Sequence, residues 1–288
     1  MSHDLLISAE QLQKLLANNV PVCIFDCTFD LADAASGHKQ YLESHIPGAI
    51  YAHLDTALSD KSGAGVSGGR HPLPSREKFA QWLSGVGMAN DMQAVVYDRN
   101  GANYCGRLWW MLKWAGHNNV AVLDGGLQAW QAAGGALNSG LEAPNTPSKF
   151  ALGQSMCALV ATKTVADNLG RPTQTLIDAR GAPRFHGEVE PLDPVAGHIP
   201  GALNRPFSQN MGSDGKFKPA SELKAEFEAL LAGRCPASAV HHCGSGVSAV
   251  PNILAMQIAG LGNSSTLGLY AGSWSDWCSD ASRPMAQG

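Results

Sequence analysis

His45-Ile-Pro-Gly-Ala49 recurs as His198-Ile-Pro-Gly-Ala202. Working outward from this pair, Ile24-Phe-Asp26 returns as Leu176-Ile-Asp178, and Ala94-Val-Val-Tyr-Asp98 lines up with Ala239-Val-His-His-Cys243. Further on, Val122-Leu-Asp-Gly-Gly-Leu-Gln-Ala-Trp130 matches Leu269-Tyr-Ala-Gly-Ser-Trp-Ser-Asp-Trp277. The matches keep one order at a separation of about 150 residues, far too long for a solenoid repeat. The 288-residue chain therefore reads as a duplicated domain.

Each copy alternates short apolar runs with amphipathic stretches. Val22 to Phe25, Ala94 to Tyr97 and Val120 to Leu123 are expected as buried strands, bounded by turn residues. Glu10 to Ala17 and Arg76 to Leu83 are expected as helices, the second started by Pro74-Ser75. Arg107 to Trp114 presents a helical face of Leu108, Met111 and Leu112, and Ile253 to Ile258 holds the matching place in the second copy. Strands alternating with helices predict an α/β fold with a parallel sheet flanked by helices in each copy. Pro, Asn, Ser and Gly collect between Asn138 and Ser155. The expected division is 1–140, a linker over 141–155, and 156–288.

The composition narrows the function. A net charge of −4 with no long like-charge run offers no nucleic-acid surface and no polybasic membrane anchor. The start, Met1-Ser-His-Asp-Leu-Leu-Ile7, lacks the basic and apolar regions of a signal peptide, and no apolar stretch is long enough for a membrane span. Seven dispersed cysteines do not make a secreted disulfide framework. The expectation is a soluble, cytoplasmic protein with free thiols.

One of those thiols has a distinctive setting. In open α/β sheets, ligands bind beyond the carboxyl ends of strands. The strand end Val240-His-His242 runs into Cys243-Gly-Ser-Gly-Val-Ser248 and then an apolar helix. Gly244 and Gly246 let the backbone curl so that its N–H groups point inward. Ser248 is the expected N-cap, and Pro251 suits the first turn. Inward amides and a helix N-terminus favour thiolate at Cys243, and the same donors suit a persulfide or an anionic leaving group. The other cysteines lack such a setting. Cys23 and Cys27 read as core residues and not as a metal pair, and Cys105, Cys157, Cys235 and Cys278 are read as ordinary. His45 and His198 are read as structural, bonding to nearby backbone.

Together these residues resemble the tandem-domain rhodanese family, and within it the 3-mercaptopyruvate sulfurtransferases. The resemblance spans nearly the whole chain. It rests on the two His-Ile-Pro-Gly-Ala elements, on both Trp-ended segments, and on Cys243-Gly-Ser-Gly-Val-Ser-Ala249, where the family carries Thr for Ser248. Thiosulfate-preferring members have two basic residues after the cysteine, where this chain has Gly244 and Ser245. The resemblance implies two tandem rhodanese-like domains, the first non-catalytic because Asp98 stands where the second has Cys243. It implies covalent double displacement: Cys243 takes sulfur from a small anionic donor, and the persulfide passes it to a thiol, cyanide or a thioredoxin-like acceptor. No metal or organic cofactor is implied, and the chain is expected to act as a monomer without nucleic acid or membrane.

The resemblance also assigns roles. Asp55, His71 and Ser245 match a set that assists proton transfer, with Asp55 and His71 reaching across from the first domain. The loop residues Gly244, Gly246, Val247 and Ser248 would cradle the substrate. Arg184, in Ala-Pro-Arg-Phe, matches a substrate arginine, and a guanidinium fork suits a carboxylate donor. A second family arginine falls within Glu190-Pro-Leu-Asp-Pro-Val-Ala196, which has none. Either Arg205 substitutes from a neighbouring turn or donor preference has shifted. A cysteine phosphatase or arsenate reductase would need His-Cys-x5-Arg, but the arginine position holds Ala249. A persulfide relay serving a protein partner, and a thiosulfate:cyanide enzyme, remain as alternatives.

Overall fold

The structure is a computed structural model that describes residues 3–288. It divides into two compact units. The first comprises the chain up to Ser59, Pro74–Met156 and Met211–Phe217; the second comprises Asp60–Leu73, Cys157–Asn210 and Lys218–Gly288.

The first unit is built from β1 (Leu6–Ile7), α1 (Ala9–Ala17), β2 (Val22–Asp26), α2 (Ser36–Glu43), β3 (Ile50–Tyr51), α3 (Arg76–Gly85), β4 (Gln93–Tyr97), α4 (Cys105–Trp114), β5 (Val120–Leu123) and α5 (Gly126–Ala132). Its sheet has the order β1-β5-β4-β2-β3, and the strand pairs are parallel. The second unit follows with β6 (Ala158–Leu159), α6 (Thr162–Asp167), β7 (Thr175–Asp178), α7 (Ala182–His186), β8 (Leu203–Asn204), α8 (Ala220–Leu231), β9 (Ala239–His242), α9 (Val250–Ile258), β10 (Gly268–Leu269) and α10 (Ser273–Trp277). Its parallel order, β6-β10-β9-β7-β8, repeats the first. The duplication read from the sequence is thus a duplication of topology.

The expected strands and helices form within a residue or two of their predicted ends, except that α9 starts at Val250, three residues before the expected Ile253. Ser8 caps α1 in a reciprocal capping box with Gln11, and the Ser75 hydroxyl accepts the Lys78 N–H to start α3. α4 departs from the single apolar face expected of it, because all ten of its residues are buried, Arg107 and Lys113 included. Such burial is tolerable because the polar ends are bonded: Arg107 donates to Leu58 O (3.2 Å) and Lys113 to Asn118 Oδ1 (2.8 Å).

His45 and His198 do structural work, as expected. His45 Nδ1 lies 2.7 Å from Tyr41 O with its ring stacked on Tyr41. His198 Nδ1 lies 2.8 Å from Phe185 O with its ring stacked on Phe185.

The linear division of the chain needs correction. Residues 141–155 belong to the first unit, where Ser148 N–H donates to Ser84 O and Ala151 N–H to Asn90 Oδ1, both at 2.8 Å. Residues 60–73 count with the second unit and 211–217 with the first. Local composition carries no signal for such an exchange, because the ties that fix it join residues far apart in sequence.

Candidate active site

In the second unit β9 ends at His242, and Cys243 follows at 2% exposure. The loop of residues 244–249 then leads into α9, with Pro251 in the first turn as expected. Ser248 is not the N-cap: that position falls to Ala249, with no side-chain cap. The Cys243 loop stays pinned from the other side. Trp274 and Ser275 donate their N–H groups to Cys243 O (3.0 Å) and Gly244 O (2.9 Å). Gly246 sits at φ +74°, and a Cβ there would lie 2.3 Å from Ala271 O, so the turn requires glycine. Ser245 and Val247 are buried within the same loop.

Ser273 went unrecognised in the sequence. Its hydroxyl accepts the Cys243 N–H (3.1 Å) and donates to Tyr270 O (3.0 Å). It holds φ +56°, a left-handed conformation that costs a non-glycine residue energy. The repeat offers the missed signal. In the first copy the matching residue is Gly126, at φ +58°. A serine in a glycine's place marks strain accepted for a hydroxyl.

The first copy also displays what the loop geometry holds. Asp98 occupies the position of Cys243, and its carboxylate accepts four backbone N–H groups: Asn100 (2.8 Å), Ala102 (3.1 Å), Tyr104 (2.8 Å) and Cys105 (2.9 Å). α4 begins at Cys105, seven residues after Asp98, and α9 at Val250, seven residues after Cys243. The loop is therefore a cradle for negative charge at its first residue.

His71 lies in the second unit, not the first, because the segment 60–73 folds there. Its Nδ1 is 2.7 Å from Ser245 Oγ, and the ring is buried. Asp55 belongs to the first unit, where its N–H donates to His53 Nδ1 (3.1 Å).

Arginines border the loop. A Cβ on Gly244 would lie 2.9 Å from Arg70 Nη2 and 3.5 Å from both Nη1 and Nη2 of Arg184. Arg184 is held by Glu190 through Nε (3.1 Å) and Nη2 (2.6 Å), and Nη2 also reaches Asp193 (3.3 Å). Burial would raise the Glu190 pKa, but Arg184 and the Leu192 and Asp193 amides hold it below the usual carboxylate value. Arg180, buried over the Trp274 ring, forks onto Asp178 and donates to Gly197 O (2.7 Å). Arg205 is placed elsewhere. Its guanidinium donates to Glu226 (2.6 Å), Asn210 and Gln209 O, and it lies over Phe227, so it ties β8 to α8 and is not the substitute arginine.

Among the other cysteines, burial pushes Cys23 up to about 12 and raises Cys27, Cys105 and Cys278. No three His, Cys, Asp or Glu residues are gathered for a metal among the described residues.

The family model of the rhodanese-like domain matches residues 8–133 and again 161–280. The chain belongs to the rhodanese-like family. This rhodanese-like protein is 45% identical, over the full length of both chains, to a Pseudomonas aeruginosa relative that carries a 3-mercaptopyruvate sulfurtransferase name. A Mycobacterium tuberculosis relative, 39% identical over 98% of this chain and 97% of its own, carries a thiosulfate sulfurtransferase name. The crystal structure of a 3-mercaptopyruvate sulfurtransferase from Escherichia coli superposes with a TM-score of 0.76 at 31% identity, covering 94% of this chain and 98% of that one.

Proposed function

We propose that this rhodanese-like protein is a sulfurtransferase that takes sulfur from 3-mercaptopyruvate onto Cys243 and passes it to a small thiol, cyanide or a thioredoxin-like protein. The observation that carries this reading is the setting of Cys243. It stands first in a loop whose twin cradles a carboxylate, with a Ser–His pair behind it and two guanidinium groups at its neighbour Gly244.

The chemistry follows from those groups. The Cys243 thiolate attacks the donor sulfur, and the C–S bond breaks with its electron pair going to carbon. Pyruvate leaves as the enolate and takes up a proton, so the donor's thiol proton is transferred to carbon. His71 and Ser245 are the pair to carry it. Arg184 orients the donor carboxylate. In the second half-reaction the acceptor attacks the outer sulfur and the Cys243 thiolate is released. Neither half-reaction calls for a metal or organic cofactor.

No helix among the described residues is long and apolar enough to cross a membrane. We infer a cytoplasmic location, since the chemistry needs a reduced Cys243 and all seven cysteines are free; the proposed reaction uses groups of one chain, and we propose that the protein acts as a monomer. A thiosulfate donor is the second reading, favoured by the name of the M. tuberculosis relative. Donor turnover with a reduced thiol as acceptor separates the two. The expected result is pyruvate release from 3-mercaptopyruvate with a kcat/KM at least tenfold above that for thiosulfate. The reverse order would replace the first reading with the second.

A further inference from the structure

The stretch from Glu190 to Ala196 lacks the second substrate arginine that the resemblance implies, and Arg205 is committed elsewhere. We infer that Arg70, brought in by the exchanged segment 60–73, supplies the missing guanidinium and forms with Arg184 a two-pronged seat for the donor's carboxylate. This rests on the sulfurtransferase reading above and names a specificity-determining residue within it.

Three observations carry it. The first is position. The three atoms nearest a Cβ on Gly244 are all guanidinium nitrogens, one from Arg70 and two from Arg184. Both side chains thus converge on the residue next to the nucleophile.

The second is orientation. Arg184 spends Nε and Nη2 on Glu190 and Asp193. Arg70 spends Nη1 on Asp193. Arg70 Nη2 and Arg184 Nη1 have no acceptor among the described residues, and both lie at Gly244. The Asp193 side chain is 2% exposed and shares its two oxygens between the two guanidinium groups. It aligns the forks and leaves one inner nitrogen on each for a ligand.

The third is anchoring. Gly69, at φ +83°, lies so close to α10 that a Cβ would sit 2.5 Å from Gly272 O and 2.6 Å from Ser275 Oγ. The Arg70 N–H donates to Ser275 Oγ at 3.1 Å. The backbone that delivers the guanidinium is therefore fixed, and less entropy is lost when the side chain takes a ligand.

Charge sharpens the specificity. Arg70, Arg180 and Arg184 face Asp178, Glu190 and Asp193, so these six side chains carry no net charge. The seat therefore attracts by directed N–H donors more than by field.

The test compares Arg70→Ala and Arg70→Lys with the wild type on two donors. One is 3-mercaptopyruvate; the other is mercaptoacetone, the same ketone without the carboxylate. The expected result for Arg70→Ala is a loss of about 10- to 100-fold in kcat/KM for 3-mercaptopyruvate, mainly in KM, and a change of less than about twofold for mercaptoacetone. Competitive inhibition by pyruvate, which keeps the carboxylate, should weaken by the same factor. Arg70→Lys should recover only part of the loss, because it lacks the fork. Equal losses on both donors would overturn the inference, since Arg70 would then act through His71 or the loop. An unchanged KM and unchanged pyruvate inhibition would also overturn it. A wild type that releases no pyruvate from 3-mercaptopyruvate would instead remove the underlying reading, and this inference with it.

Discussion

His241 and His242 are fully buried in β9; the His241 ring has no hydrogen-bond partner among the described residues, and His242 Nδ1 lies 3.9 Å from Asp178. Burial pushes His241 down to about 3, with the neighbouring His242 adding to the effect. Burial also lowers His242, although Asp178 pulls the other way. The folded values lie below the unfolded value of about 6.5, so the unfolded chain binds these protons first. The stability they contribute is complete above about pH 6.5 and is lost as pH falls, for His241 down to about 3. The share of His241 between pH 7.5 and pH 5 is about 2 kcal/mol. Urea unfolding at those two pH values should show this loss in the wild type and a drop smaller by about that amount in His241→Leu. Identical pH dependence in both proteins would contradict it. These buried histidines sit directly before the nucleophile, so acid should loosen the strand that presents Cys243.

The loop and helix after each central strand are where the two copies can be compared as elements. In the first copy Asp98 gathers four N–H groups before α4. Asp98→Ala would leave those buried donors without their charged acceptor, at a cost of about 3 kcal/mol, and Asp98→Asn about half of that. The urea midpoint should fall in that order, and an Asp98→Ala protein as stable as the wild type would show that the cradle holds no charge. The elements themselves were legible in the sequence. Val120 to Leu123 and the α3 start at Ser75 announce themselves through β-branching and capping. Ser248 misled because the chain stays in loop for one residue more, so Ala249 takes the cap position without a side-chain bond. α4 was legible as a helix but not as a wholly buried one, since burial of Arg107 depends on distant Leu58.

At the scale of the whole molecule, the sequence revealed the duplication and the parallel sheets, because each leaves a mark along the chain. It could not reveal the exchange of residues 60–73 and 211–217, which only the folded contacts define. That exchange puts His71 within 2.7 Å of Ser245 and brings Arg70 to Gly244. The acidic partners Glu190 and Asp193 were likewise invisible as a set, although the absence of an arginine near them was plain. In the proposed function the duplicated chain keeps one cradle for a carboxylate, at Asp98, and uses the other for sulfur, at Cys243. Intact-mass spectrometry after brief exposure to 3-mercaptopyruvate tests this most directly. The account predicts a gain of one sulfur atom, about 32 Da, on the wild type and none on Cys243→Ser. An unmodified wild type, or an equal gain on Cys243→Ser, would contradict it.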